Sequence, residues 1–479
     1  MAEKNKMIDG KENAKEETSD LNTKGPELVQ MIGDRLTSLI DQNHPGKSVI
    51  INGISGSQKS LAAASLLAKY NTAVIVVPTQ KDIFRWEENL KFFVPDARIF
   101  SFPVVEEAGF EGTFSSTERL RERMRSLSAM INGEKSIIIA AAVEAAQKIS
   151  APSSIKDHLY KFELGSEIER REVLEVLQDL GYERVDQVER SGHFSVRGDI
   201  VDIYPINEIH PVRIEFFGDE IDSIRLFDVD SQRSIETLES QSVFPVAVKG
   251  SKNSSVLSYL DHGIVFYDEP QRGEESLKQF FKEEKANAGK AFLWSELIHT
   301  ARKQTNQEIV FSLLKRELEE FKPSVYHNWN GQEMTNYQRQ IPIFTADLKS
   351  LLNKNWKTAI VIPRASEKRE IEGILTDQQI PMSLDIEEGK VVLLDGVLTE
   401  GFELSDFNLA LITAGDILGR QKLRKYSTSG SRKQIRYFSD LNPGDYVVQQ
   451  VHGIGRYLGI RTIELSGVHR DYITIQYAG

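Results

Sequence analysis

The chain of 479 residues contains no cysteine. That excludes disulfides, cysteine–zinc sites and thiol catalysis, and it suits a reducing cytoplasm, which is the expected compartment. The nine histidines are scattered and none stands at H-x-x-x-H spacing, so no metal site is expected. No apolar run reaches the roughly eighteen residues of a membrane span, so no membrane partner is expected either. An excess of basic residues is also missing. Seventy-one acidic residues against 59 basic ones give a net charge of −12. This excludes a whole-chain basic footprint for nucleic acid and points to protein partners. What is present is a hydrophobic content of 40%, enough for real cores, on a length that suits about three or four domains.

Residues 53–60 read GISGSQKS. A phosphate-binding loop has the form G-x-x-x-x-G-K-[ST]. Gly53, Lys59 and Ser60 match it, and Gln58 stands where the second glycine belongs. Buried strands are expected at SVIIN (48–52) and TAVIVVP (72–78), with helix-forming SLAAASLLAKY (60–70) between them, as in a βαβ unit. A glycine before the lysine lets the backbone curl so that successive N–H groups face the phosphates. Glutamine brings a Cβ and a polar chain into that space. Two readings are open: a weakened nucleotide pocket on Gly53, Gly56, Lys59 and Ser60, or a loop that only caps a helix. The strand HGIVFYDEP (262–270) ends in Asp268-Glu269, in the manner of a Walker-B carboxylate that holds Mg²⁺ through water. If that tip pairs with 53–60, the stretch between them is inserted into one α/β domain. The triplet Gly46-Lys47-Ser48 is no second loop, because it precedes its strand and Asp41 occupies the first-glycine position.

The punctuation of the chain divides it into segments. Residues 1–25 are polar and of mixed charge, a disordered tail. Residues 26–150 alternate strands and helices, the first half of an α/β domain. Residues 151–250 carry a helix and many short strands, an α+β module in which FFGDEID reads as a hairpin. Residues 251–344 return to the α/β pattern, and 345–420 form a further α/β domain. Residues 421–438 are a basic linker. Residues 439–479 alternate like the strands of a small SH3/Tudor-like barrel, with glycines at 444, 453, 455, 459 and 467 marking turns. Too little chain remains to close such a barrel. The expectation is therefore a fragment whose last strand, DYITIQYA (471–478), lacks an outer neighbour.

Three blocks together resemble bacterial transcription-repair coupling factors. The first is GISGSQKS with its βαβ unit, similar to the P-loop domain shared with the excision-repair protein UvrB. The second is GHFSVRGDIVDIYP with PVRIEFFGDEIDSIRLFDVDSQRSIETLESQSVFP, similar to a UvrA-binding domain. The third is PGDYVVQQVHGIGRYLGIRTIEL with GVHRDYITIQYAG, similar to the CarD-like domain that meets RNA polymerase. The resemblance runs from about residue 26 to the end. It implies a multidomain α/β chain: a degenerate P-loop domain carrying an inserted UvrA-binding module, a further α/β domain and a partial barrel. It implies a function of linking stalled RNA polymerase to nucleotide excision repair by recruiting UvrA. Members of that family continue into two motor domains with an intact loop and a DExx box, where ATP, Mg²⁺ and DNA are engaged. No intact loop occurs in these 479 residues, so neither catalytic residues nor a cofactor are expected here. The alternative is a nucleotide-binding, UvrB-like damage-recognition protein. Against it, FPVVEEAGFEGTFSSTE (102–118) is short, acidic and without tyrosines where UvrB places an aromatic hairpin.

The resemblance also suggests contact residues. Arg197 would be the polar anchor for UvrA, with Phe194 and Arg184 nearby; the competing readings are an internal ion pair of Arg197 with Asp199 or Asp202, and a core position for Phe194. In the terminal module, YLGIRTIEL (457–465) would contact the polymerase β subunit by strand addition, led by Ile463 with Leu458 and Arg461 beside it. The competing reading turns Ile463 into the barrel. Because that barrel is incomplete, weak polymerase binding is expected of this chain.

Overall fold

The structure is a computed structural model. It describes residues 24–41, 48–103, 114–246, 252–283, 289–322, 324–419, 444–449, 453–465 and 468–477. The proposed tail (1–25, save its last two residues), most of 102–118 and the basic linker (421–438) lie outside them. Two compact units are present, residues 1–421 and 422–479.

The first sheet starts with β1 (Ser48–Asn52), β2 (Thr72–Val77), β3 (Arg98–Ser101) and β4 (Ser136–Ala141). β1, β2 and β4 are buried along their whole length, as expected of parallel strands covered on both faces. The chain then leaves for a separate module. This comprises β5 (Tyr160–Glu163), β6 (Glu183–Arg184), β7 (His193–Arg197), β8 (Ile200–Ile203), β9 (Val212–Phe217), β10 (Glu220–Phe227), β11 (Ser234–Leu238) and β12 (Ser240–Val243). β5 and β12 pair with each other, so the outgoing and returning strands meet at a narrow neck. Such a neck lets the host tolerate an insertion. The module's sheet runs β11-β10-β9-β8-β7-β6. The amphipathic helix Arg170–Asp179 has its Val173 and Leu177 in the same apolar core as Phe194, Val201, Ile203, Ile214 and Ile224. FFGDEID forms the two-residue hairpin between β9 and β10, with Phe217 opposite Glu220 and Gly218 at φ +68°.

After the insertion, β13 (Gly263–Asp268), β14 (Thr305–Ser312) and β15 (Ser324–Asn328) rejoin the first sheet. Its order is β15-β1-β14-β13-β2-β4-β3, every pair parallel. β1 is thus flanked on both sides by strands more than 250 residues further along the chain. The second sheet holds β16 (Gly331–Glu333), β17 (Lys357–Ile362), β18 (Met382–Ser383), β19 (Val391–Asp395), β20 (Phe402–Leu404) and β21 (Leu409–Thr413), in the order β16-β20-β21-β17-β19-β18. It takes in β16, so it draws on chain upstream of residue 345.

The helices Lys24–Asp41, Gly56–Leu66 and Gln80–Phe93 contribute to one apolar core with residues of both sheets. Leu28, Leu61 and Leu90 share it with Val49 and Ile75 of the first sheet and Val361, Leu394 and Leu411 of the second. The last of these helices starts at a reciprocal cap: Thr79 Oγ1 donates to Asp82 Oδ2 at 2.7 Å and Thr79 N to the same atom at 3.1 Å.

The smaller unit is an antiparallel meander of β22 (Tyr446–Gln449), β23 (Gly453–Leu465) and β24 (Val468–Tyr477). Three of its glycines do not mark turns. Gly453, Gly455 and Gly459 lie within β23, and a Cβ on Gly455 would collide with Ile475 and Tyr477 of the facing strand. Among the described residues β24 pairs on one side only. Amides of β24 are therefore expected to exchange with solvent deuterium far faster than those of β1 and β2, which are ladder-paired on both sides. Exchange mass spectrometry checks this; equal protection would show that the outer edge of β24 is covered.

Candidate functional site

Gly53 and Gly56 both have positive φ, +79° and +51°, so the loop keeps two of the bends that glycine permits. Beyond those bends the backbone turns directly into helix. The helix Gly56–Leu66 is wound from Gly56 on, and Gln58 N donates to Ser55 O at 3.2 Å. Gln58 is itself buried, and its Oε1 accepts from Trp329 Nε1 at 2.7 Å. Lys59 Nζ donates to Asp268 Oδ1 at 2.6 Å and to Glu269 Oε1 at 2.9 Å. Other donors hold both carboxylates too: Trp86 Nε1 reaches Asp268 Oδ2 at 2.9 Å, and Leu313 N reaches Glu269 Oε1 at 2.8 Å. Ser60 is buried beside Asn89, whose Nδ2 lies 3.4 Å from the hydroxyl.

Residues 399–400, beyond the second sheet's β19, complete this arrangement. Ser57 Oγ lies 3.2 Å from Thr399 Oγ1 and accepts from Glu400 N at 3.1 Å, while Thr399 N donates to Asn89 Oδ1 at 2.9 Å. The Glu400 carboxylate is packed so closely on Gly56 that a Cβ there would collide with it. An anion at a helix N-terminus is favoured by the free N–H groups and the helix dipole. Here that anion is a side chain of the same protein. A cleft of about 420 Å³ remains beside the loop, with Arg85, Trp86, Arg272 and Arg316 among its walls.

In the inserted module, Arg184 is exposed on the edge strand β6, and Arg197 is exposed at the end of β7. Arg197 forms no internal ion pair with Asp199 or Asp202. Its Nε and Nη2 donate to the carbonyl of Asp186 at 3.1 and 2.6 Å, and Asp202 is held by Arg213 at 2.7 and 2.9 Å. Phe194 is corrected from contact to core: it is fully buried with Val201 and Ile203, because the even positions of β7 face the helix-covered side of the sheet. In the smaller unit Leu458 is 45% exposed next to the buried Tyr457. Arg461 and Ile463 lie on β23 opposite Tyr472 and Arg470; their side chains lie outside the described residues. β22 pairs with Gly453–Arg456, and Tyr457 exchanges backbone bonds with Gly444 and Asp445 at 2.7 and 2.8 Å, so from Leu458 onward β23 pairs on one side among the described residues.

A family model for the UvrB interaction domain matches residues 160–248, and one for the CarD-like/TRCF RID domain matches 441–479. The transcription-repair-coupling factor of Bacillus subtilis (strain 168) is 27% identical over 531 aligned residues, covering 93% of this chain and 45% of the relative. Those of Staphylococcus epidermidis (strain RP62A) and Staphylococcus aureus (strain MRSA252) are each 26% identical, covering 92% and 90% of this chain and 44% of the relative. Along nearly its whole length the chain is similar to transcription-repair-coupling factors. It spans a little under half the length of the curated relatives it matches.

The loop is engaged by residues that sequence reasoning passed over. Trp86 and Asn89 lie three apart on the helix Gln80–Phe93, one helical face, and both meet the loop's partners. Trp329, Thr399 and Glu400 come just after strand ends and carry no local mark. Among the described residues no group of His, Cys, Asp or Glu is arranged to hold a metal ion, and no helix is long and apolar enough to cross a membrane.

Burial acts to lower the Lys59 pKa, and attraction to Asp268 and Glu269 outweighs it, so the ammonium titrates above its ordinary 10.5. A raised folded-state pKa gives stability that is whole below the unfolded value and is lost as pH rises through the folded one. Lys59→Met is expected to cost about 3 kcal/mol at pH 7, because it strands buried carboxylates. The cost shrinks above the unfolded lysine pKa, and Asp268→Asn added to it costs less than the two changes summed. Urea unfolding at pH 7 and pH 11 measures both effects; a loss below about 0.5 kcal/mol would show that the pair carries no stability.

Proposed function

We propose that this chain is the docking portion of a transcription-repair coupling factor. It joins stalled RNA polymerase to nucleotide excision repair by presenting its inserted module to UvrA and its terminal strands to the polymerase β subunit. The observation that carries this reading is the pair of interaction-domain matches at 160–248 and 441–479 on a chain whose phosphate-loop lysine is paired internally. On this reading the α/β domain at 26–150 and 251–344 is a degenerate P-loop domain that has exchanged nucleotide for an ion pair. Gly53, Gly56, Lys59 and Ser60 then serve structure, and ATP, Mg²⁺ and DNA are handled by motor domains of the whole protein. Arg184 and Arg197 are the UvrA contacts, with Arg197 as the anchor. Leu458, Arg461 and Ile463 mark the polymerase-facing strand, whose one-sided pairing is what β-augmentation requires. The terminal strands belong to an SH3/Tudor-like barrel, and the protein works in the cytoplasm.

UvrA should bind the chain without nucleotide, and Arg197→Ala should weaken the complex by about 2 kcal/mol, close to 30-fold, if the guanidinium is desolvated on docking. Biolayer interferometry on the purified chain measures this. An unchanged Kd with an intact circular dichroism spectrum would remove Arg197 from the interface, and absence of any binding would overturn the docking role.

A further inference from the structure

The charged side chains on the outer face of the module's sheet are mostly satisfied within the module. Arg213 clasps Asp202 and also lies 4.5 Å from the Phe227 ring centroid. Glu215 is held by Arg225 and by Ser223 Oγ, the latter at 3.0 Å. Arg197 differs, because its guanidinium rests on a neutral carbonyl rather than on a carboxylate. At the same end of the sheet stands Phe217, 80% exposed. It alternates with Phe216, which is buried in the core, and so shares the outer face with Arg213 and Glu215.

A single exposed apolar side chain is ordinary on a protein surface. Phe217 differs in how firmly it is placed. Its neighbour Phe216 donates its N–H to Asp199 O at 2.9 Å, which ties the β9–β10 hairpin to the turn between β7 and β8. Its hairpin partner Glu220 is bridged on the other side to Glu167. The ring is therefore carried on paired backbone on both flanks, with little further order to impose on docking. The register places Arg197 opposite Ile200 and Ile200 opposite Glu215, two residues before Phe217. At strand spacings of nearly 5 Å and a little over 3 Å per residue, Arg197 and Phe217 stand roughly 12 Å apart on one face. A rigid aromatic and an arginine at that separation are the residue types that concentrate binding energy in protein interfaces.

We propose that Phe217 is the apolar anchor of the module's docking face. It would seat in an apolar pocket on UvrA, with a carboxylate of UvrA meeting Arg197 on one side and a basic group meeting exposed Glu220 and Glu167 on the other. The partner's identity rests on the proposed docking role; the place of Phe217 rests on its own exposure and support.

The test measures UvrA binding to the full chain by biolayer interferometry for the unsubstituted protein, Phe217→Ser, Phe217→Leu and Arg197→Ala, with circular dichroism and Tm for each. Phe217→Ser should weaken binding 10- to 30-fold, Phe217→Leu by no more than about threefold, and neither should lower Tm, since the ring packs on little. If Arg197→Ala weakens binding while Phe217→Ser does not, the docking role stands and the anchor is wrong. If the unsubstituted chain does not bind UvrA, both fall together. Sedimentation completes the test: a self-associated chain that Phe217→Ser converts to monomer would assign the face to a second copy and overturn the proposal.

Discussion

Lys59 holds Asp268 and Glu269 across a separation of 209 and 210 residues. The contact lies where β1 and β13 deliver their next loops to one edge of a parallel sheet, the edge at which α/β folds place their sites. The ammonium is spent on these carboxylates, and the helix N-terminus is faced by Glu400, so both are answered from within. The same contacts bring residues 399–400 of the second sheet's unit onto the first. The apolar core shared by the two sheets lies directly behind them, so the polar seam and the hydrophobic layer reinforce one arrangement.

That arrangement leaves the inserted module standing on its neck of β5 and β12. A two-stranded neck transmits the chain without disturbing the host sheet, in which β13 after the insertion still pairs with β2 before it. The module can then commit one face of its own sheet to a core with the helix Arg170–Asp179. On the outer face most charges cancel in pairs. The few groups that are not cancelled stand at the end bounded by the turns at 198–199 and 218–219.

The smaller unit distributes its contacts differently. Among the described residues its long central strand is paired by β24 from Gly455 to Leu465 but by β22 only at its start. Backbone groups on the remaining stretch keep their hydrogen-bonding capacity, which is a liability in an isolated sheet and an asset in a docking strand. The close approach at Gly455 shows how tightly the two long strands cross; a side chain there would have to displace Tyr477.

Much of this was legible in the sequence. The missing glycine at 58 already marked the loop as departing from the phosphate-binding pattern. The apolar runs at 48–52 and 72–78, the hairpin at FFGDEID and the two long blocks within 192–245 and 443–479 are local patterns, and the chain reads them out locally. β14 and β15 escaped notice because TNQEIVFS and SVYHN are mixed in polarity, and a strand protected by distant neighbours needs no strong pattern of its own. Tertiary structure alone decided what Lys59 would meet, that Glu400 would stand at Gly56, and that Arg197 would rest on Asp186. It also decided between two phenylalanines that alternation treats alike. A period of two assigns Phe194 and Phe217 each to a face of a strand; only the helix laid over one side determines which face is dry. Partners 200 or more residues away are chosen by the register of parallel strands and the packing of layers, and no local spacing encodes them.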